Sequence, residues 1–150
     1  MLVVLCGPSH SGKSTFAEGL GGDFTVVSTD EVRRRLGVSF RHWRDEPKVW
    51  EAFEAMKRGA LKSGQDVVLD ACHLTPGARW HSVQGPNGRH TKICIVFELS
   101  WRTIRERCLK EKRVALPEVA RMWKDFQKSR PTRRKLKSDG FDEAYSVNGQ

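Results

Sequence analysis

The sequence predicts an α/β fold in which a mainly parallel sheet of about five strands lies between two layers of helices. Short apolar segments rich in β-branched residues alternate with amphipathic segments along the 150 residues, and this alternation is typical of βαβ units. Hydrophobic residues make up 38% of the chain and charged residues 30%, as in ordinary globular proteins. A chain of this length supports one core, so we expect a single domain over residues 1–150.

Most of the predicted strands are followed by a helical segment. Strands are expected at 2–6, 24–28, 66–70 and 91–99, with a last one within 141–147. Helices are expected at 12–20, 31–36, 46–63, 75–83, 101–112 and 117–126. Apolar residues recur at helical spacing between Val49 and Leu61, which indicates an amphipathic helix there. Thr75 and Ser100 are expected to cap the helices that follow them.

The composition also bears on location. No apolar run reaches about 18 residues, so we expect no membrane-spanning helix. The apolar N-terminus lacks a basic leader and a cleavage site, and we interpret it as a buried strand rather than a signal peptide. The four cysteines form no CxxC pair, which favours small buried side chains in a reducing compartment over a zinc site. We therefore expect an intracellular, cytoplasmic protein with no membrane partner.

A glycine-containing loop between the first strand and the first helix fits the pattern G-x-x-x-x-G-K-[ST], which cradles phosphates in P-loop NTPases. Backbone N–H groups of such a loop wrap the β-phosphate, and the following helix directs its positive end at the same anion. Lys13 can reach the β- and γ-phosphates, and the Ser14 hydroxyl can bind Mg²⁺. The alternative is a turn with an exposed lysine. The expected ATP-binding residues are Gly7, Pro8, Ser9, His10, Ser11, Gly12, Lys13, Ser14 and Thr15.

Asp30 ends the second predicted strand, where ligands of an open parallel sheet bind. A carboxylate there can accept the proton of an attacking hydroxyl, although Asp30 could instead cap the helix that follows. Arg33 shares a helix face with Asp30 and could bind an acceptor phosphate, whereas Arg34 and Arg35 are expected to be solvated. The segment 40–44 mixes aromatic and basic residues, which suits base stacking or a surface turn with its tryptophan in the core.

Asp70 ends the third strand at the position where P-loop proteins place an acid that holds Mg²⁺ or orients the loop lysine. His73 could touch the acceptor, but a hydrogen-bonded loop histidine is the simpler interpretation. Residues 112–127 are rich in Arg and Lys around Pro117 and are expected to form a mobile helical lid. Arg121 would then close on the donor phosphates, whereas Arg105 and Arg107 are expected to be solvated.

Positive charge dominates the sequence. The net charge is +9 and the isoelectric point is near 9.8, which favours a polyanionic partner such as nucleic acid without specifying it. Residues 128–137 hold six basic residues and no acid. This segment is either a salt-sensitive nucleic-acid contact or a solvated connector.

The ordered motifs resemble the 5′-kinase domain of phage-type and bacterial polynucleotide kinases, over nearly the whole chain. The resemblance rests on four blocks, Gly7–Thr15, Ser28–Arg33, Asp70–Arg79 and Pro117–Met122, with a family-like end at 140–143. It implies a P-loop three-layer sandwich, a general base at Asp30, an acceptor-phosphate contact at Arg33 and a donor contact at Arg121. His10 stands where these loops often have glycine, and the shortened lid leaves Arg113 as only a candidate second arginine.

Three functions are therefore compatible with the sequence. The first is an ATP-dependent kinase of a nucleic-acid 5′-hydroxyl, using Mg²⁺, with Lys13, Asp30 and Arg121 as catalytic residues. In that function Asp30, Arg33, Asp70 and Arg79 bind the substrate. The second is a small-molecule kinase on the same scaffold. The third is a non-catalytic, ATP-gated nucleic-acid-binding module, which the joint presence of Lys13, Ser14, Asp30 and Asp70 disfavours.

Overall fold

The computed structural model describes residues 1–39, 44–85 and 89–148. Five parallel strands form one sheet in the order β2-β3-β1-β4-β5. The strands are β1 (Leu2–Cys6), β2 (Phe24–Ser28), β3 (Asp66–Asp70), β4 (Lys92–Phe97) and β5 (Glu143–Val147). The predicted fold class is confirmed, and the first three strands have the predicted bounds. Parallel strands need crossover connections, and helices supply them here.

Seven α-helices in the described residues cover the two faces of the sheet, and Thr75 and Ser100 cap α4 and α5 as predicted. The helices are α1 (Lys13–Gly19), α2 (Thr29–Leu36), α3 (Glu46–Lys62), α4 (Pro76–Ser82), α5 (Trp101–Glu111), α6 (Leu116–Lys128) and α7 (Arg133–Asp139). A short 3-10 turn at Gly21–Asp23 precedes β2. No described helix has the length and apolar character needed to cross a bilayer.

The central strand β1 explains why the core has two halves. Its five residues are all buried, and successive side chains point to opposite faces of the sheet. Leu2, Val4 and Cys6 pack with α2, α3, α6 and α7 on one face, whereas Val3 and Leu5 pack with α1, α5 and Val119 of α6 on the other. Because all strands are parallel, their carboxyl ends share one edge. The loops after β1, β2 and β3 therefore meet there, and the functional site is expected at that edge.

The predicted mobile lid over 112–127 is for the most part a packed helix. Val119 and Met122 of α6 are 0% exposed and Phe126 is 2% exposed, and they join the two core clusters. Moving α6 away would expose three core side chains, at about 1.5–3 kcal/mol each. Only the connection at 112–115 between α5 and α6 is irregular. The mobility of residues 112–127 stays a prediction, and in this structure α6 packs as part of the core.

Two further local expectations change. Ser28, not Asp30, caps α2, because its hydroxyl accepts the Glu31 N–H at 3.4 Å. The basic segment 128–137 is not a plain connector, since Thr132 caps the helix α7 by accepting the Lys135 N–H at 3.2 Å. The proposed base-stacking residues at 40–43 lie outside the described residues.

Candidate active site

The loop between β1 and α1 holds an unusual backbone. Gly12 has φ of +97° and His10 has φ of +66°, in the left-handed region that favours glycine. His10 therefore adopts the conformation typical of the glycine that related loops often carry, even though it has a side chain. Gly7 fixes the start of the loop by donating its N–H to the Cys72 carbonyl at 2.9 Å. The loop thus follows β1 directly and opens α1, as the motif requires.

The Lys13 ammonium lies inside this loop. Its Nζ donates to the Pro8 carbonyl at 2.7 Å and to Ser11 Oγ at 3.3 Å, and the residue is only 7% exposed. Ser9 and Thr15 complete the loop on the wall of the same cleft. The ammonium and the N-terminus of α1 therefore present positive charge to one anion site.

Ser14 and Asp70 meet at the base of the cleft. Ser14 Oγ donates to Asp70 Oδ2 at 2.7 Å. Burial raises the pKa of Asp70 above its usual range, while the Ser14 hydrogen bond and Lys13 oppose the shift. A hydroxyl and a carboxylate side by side are hard oxygen ligands, which fit Mg²⁺ accompanied by water and substrate phosphates. No cluster of three or more His, Cys, Asp or Glu side chains suited to a metal occurs in the described part of the chain.

Asp30 and Arg33 form an ion pair on the wall of the same cleft. Asp30 lies in the first turn of α2 with its side chain 68% exposed, and Arg33 Nη1 donates to its Oδ1 at 3.0 Å. The Arg33 guanidinium also donates to both carboxylate oxygens of Glu46, at 2.8 and 3.2 Å. Glu46 begins α3, and nothing in the local sequence links it to Arg33. Two carboxylates thus hold a nearly buried cation at the edge of an open cleft.

The cleft that joins these groups has a volume of about 1680 Å³. Single small-ligand sites typically occupy 300–1,000 Å³, so the cleft has room for two substrates at once. Lys13, Ser14, Asp30, Arg33 and Asp70 all line this one cleft. The arrangement can bind a polyphosphate donor together with a carboxylate able to accept a proton.

Three arginines border the donor side. Arg121, on α6, is half exposed and pairs with Glu118 at 2.6 Å and with Asp125 at 2.8 Å. Arg107 Nη1 donates to the His10 carbonyl at 3.4 Å and lines the cleft, so the expectation that Arg107 is merely solvated is wrong. Arg113 also lines the cleft. Arg107 could not be found from sequence, because its partner is 97 positions away.

Arg79, expected to bind substrate, lies outside the cleft. It is 2% exposed, and its guanidinium donates to the backbone carbonyls of His73, Leu74 and Ser129 at 2.8 to 3.1 Å. These bonds join the loop after β3 to the end of α6. The structure therefore makes Arg79 a support of the fold, and the expectation of substrate contact is corrected.

Two histidines are buried near the loop. His73 Nδ1 lies 2.7 Å from the Leu5 carbonyl, to which it donates as the neutral ring, and burial lowers the pKa of His73 to about 4. His73 is therefore a neutral structural histidine at neutral pH, in agreement with the simpler interpretation. The His10 ring bonds through Nδ1 to Glu111 Oε2 at 3.0 Å, which ties the phosphate loop to the end of α5.

The comparisons with known proteins agree with this geometry. A family model described as an AAA domain matches residues 2–130, and no curated protein sequence matches the chain. A chain of the Pnkp1/Rnl/Hen1 RNA repair complex superposes with a TM-score of 0.76 at 22% identity. A sugar kinase from Janibacter sp. HTCC2649, in an unliganded structure, gives 0.64 at 16% identity. Shikimate kinase from Acinetobacter baumannii, in complex with shikimate, gives 0.56 at 19% identity.

Coverage limits what these likenesses show. The match covers 86% of this chain but only 44% of the RNA repair chain, so the chain spans less than half of that protein. The two small-molecule kinases are covered to 84% each, by 98% and 99% of this chain. At these identities the similarity shows a kinase-like P-loop fold and leaves the substrate open.

Proposed function

Since the chain belongs to the AAA domain family and has a kinase-like P-loop fold, we propose that it is an ATP-dependent polynucleotide 5′-kinase. It transfers the γ-phosphate to the 5′-hydroxyl of DNA or RNA. The observation that carries the proposal is the Asp30–Arg33 pair, 3.0 Å apart, in the same cleft as Lys13 and Ser14. A lone hydroxyl acceptor needs only the carboxylate, whereas a nucleotide also offers a phosphate for the guanidinium.

Each residue then has one task. Lys13 and the loop N–H groups bind the donor phosphates, and Asp30 accepts the proton of the attacking hydroxyl. Ser14 and Asp70 would hold Mg²⁺, which supplies positive charge against the phosphate oxygens when bound. Arg33 holds the phosphate next to the reacting nucleotide. Arg121 reaches the donor phosphates only by exchanging one of its carboxylate partners, Glu118 or Asp125.

Support for a nucleic-acid acceptor comes from charge and from likeness. The net charge of +9 attracts polyanions. The solved structure with TM-score 0.76 is part of an RNA repair complex. ATP serves as the phosphate donor in this proposal.

The test is transfer of labelled γ-phosphate from ATP to a 5′-hydroxyl oligonucleotide with Mg²⁺ present. Wild-type protein is expected to label the oligonucleotide, and Asp30→Asn to lower turnover by about 10²- to 10⁴-fold while ATP binding is retained. Asp23→Asn is the matched control, because Asp23 is an exposed acid outside the cleft. No labelling by wild-type protein refutes the proposal, and oligonucleotide binding without labelling would favour the ATP-gated binding module.

A small-molecule kinase is the second candidate, favoured by the near-complete coverage of a sugar kinase and of shikimate kinase. For an uncharged acceptor such as a sugar, it predicts turnover that is insensitive to salt and to Arg33→Ala, since such an acceptor releases no counterions. The polynucleotide kinase predicts the opposite for both measurements. This alternative would be established if the protein phosphorylates a small molecule and an oligonucleotide does not inhibit that reaction.

A further inference from the structure

The helix α7 carries a cluster of cations that the catalytic proposal does not use. Arg133, Arg134, Lys135 and Lys137 are all exposed, and none of them has an ion pair among the described residues. Only Leu136 of the helix is buried. With 100° per residue, Arg133, Lys137 and Arg134 share an arc of about 100°, whose near edge at Arg133 is about 60° from Leu136. We call these three residues the α7 basic face.

The placement of these charges is unfavourable for the free protein. Arg133, Arg134 and Lys135 occupy the first turn of α7, where unpaired N–H groups favour acids over bases. Arg133 and Lys137 are four residues apart, a spacing at which like charges repel. A bound polyanion would remove both penalties. Such a local conflict is typical of a site that is shaped for a partner.

Among the described residues, the nearby acids Asp139 and Glu143 form no ion pair with the α7 basic face. Asp139 lies on the same helix but is only partly exposed and acts on the buried Cys94. The Glu143 carboxylate accepts the Tyr145 hydroxyl at 2.9 Å. Tyr145, on the edge strand β5, is 51% exposed, but it follows Ala144 of the core that contains Leu136, so its side chain points to the opposite face of the sheet. The phosphates of a nucleic-acid strand are therefore the groups that the cations of α7 suit.

The α7 basic face begins near the rim of the cleft. Ser129, three residues before the cap of α7, donates its hydroxyl to the Leu74 carbonyl at 2.7 Å. Two residues earlier in the same loop, Cys72 lines the cleft wall. α7 then runs toward the amino ends of the strands, since the Asp142 N–H bonds the Lys92 carbonyl at 2.8 Å. A strand leaving the cleft past Leu74 would meet the first turn of α7.

We propose that the α7 basic face binds the part of the acceptor strand that lies beyond the reacting nucleotides. The proposal rests on the polynucleotide kinase function above. It predicts that acceptor affinity rises with strand length, because only a long acceptor reaches α7. The chemistry at the 5′ end is unaffected by this contact.

The test compares two acceptors, a dinucleotide and a single strand of about 16 nucleotides. In the triple variant R133Q/R134Q/K137Q, the KM of the long acceptor is expected to rise about tenfold at low salt while its kcat is unchanged. The slope of log KM against log salt becomes shallower by about 2, for three contacts at about 0.7 each. The KM of the dinucleotide stays at the wild-type value.

The matched control is K62Q/R105Q/K110Q, which removes the same charge from exposed residues elsewhere. It is expected to leave the KM of the long acceptor within about twofold of wild type. The inference is overturned if the KM of the long acceptor rises equally in both triple variants, because net charge alone would then explain the effect. It is also overturned if that KM does not rise in the α7 variant. Absence of dinucleotide and long-acceptor turnover in wild-type protein would instead refute the proposed function.

Discussion

Replacing Arg79 by methionine separates a structural role from a substrate-binding one. The Ser129 carbonyl has the Arg79 guanidinium as its side-chain donor at 2.8 Å. The His73 and Leu74 carbonyls keep a second donor, from Cys6 Sγ at 3.1 Å and Ser129 Oγ at 2.7 Å. The partly buried Ser129 carbonyl without its donor costs up to about 1–3 kcal/mol, and the two weakened ones add less. We therefore expect Arg79→Met to lower the free energy of unfolding by about 3 kcal/mol.

Urea denaturation measures this loss. With an m value of about 2 kcal/mol/M, the midpoint falls by about 1.5 M. Arg79→Lys keeps a cation with fewer donors and is expected to lie between wild type and Arg79→Met. Arg105→Met is the control, because Arg105 is exposed and its loss should change the free energy by less than about 0.5 kcal/mol. The reasoning is refuted if Arg79→Met unfolds at the wild-type midpoint, and a raised acceptor KM in that folded variant would restore the substrate-binding interpretation.

Two other predictions concern buried histidines. The pKa of His73 is lowered from 6.5 to about 4, so between these values the unfolded chain binds a proton that the folded chain does not. The free energy of unfolding is thus expected to fall by up to about 3 kcal/mol as pH drops from 6.5 to 4. Thermal melts at a series of pH values measure this dependence. His73→Asn is expected to flatten the dependence of stability on pH, whereas His81→Asn, at an exposed position, is expected to keep it. At His10, with φ of +66°, glycine fits and a β-branched residue does not. His10→Gly is expected to keep the wild-type Kd for ATP, whereas His10→Val weakens it at least about fivefold, or about 1 kcal/mol of backbone strain; equal Kd values in calorimetric titration would contradict the backbone argument.

Local patterns were enough to predict the sheet and the phosphate loop. The strands at 2–6, 24–28 and 66–70 are short apolar runs whose ends are marked by turn residues or acids, and the structure keeps their bounds. The phosphate-loop motif also predicts a strand before it and a helix after it, because it must lie between the two. Both depend on residues close together in the chain.

Contacts between distant segments could not be predicted in this way. Glu46 bonds Arg33 from 13 positions away, and Arg107 reaches His10 from 97 positions away. Lys57 is 0% exposed and bonds the carbonyls of His81 and Ser82, although a lysine on an amphipathic helix is expected at the surface. The prediction that Arg79 binds substrate failed for the same reason, because its hydrogen-bond acceptors are backbone carbonyls that no side-chain pattern reveals.

The packing of α6 has a consequence for the temperature dependence of catalysis. The helix that presents Arg121 to the donor side is anchored by Val119, Met122 and Phe126 in the same core as the sheet. Within residues 1–39, 44–85 and 89–148, the cleft therefore has no separate, weakly held cover that could loosen first on heating. In the proposed kinase, we expect nucleotide exchange to depend on side-chain rotation at Arg121 and on the four residues 112–115, since loops move faster than helices. Activity and tertiary structure are accordingly expected to be lost over one temperature interval, as a single cooperative unit.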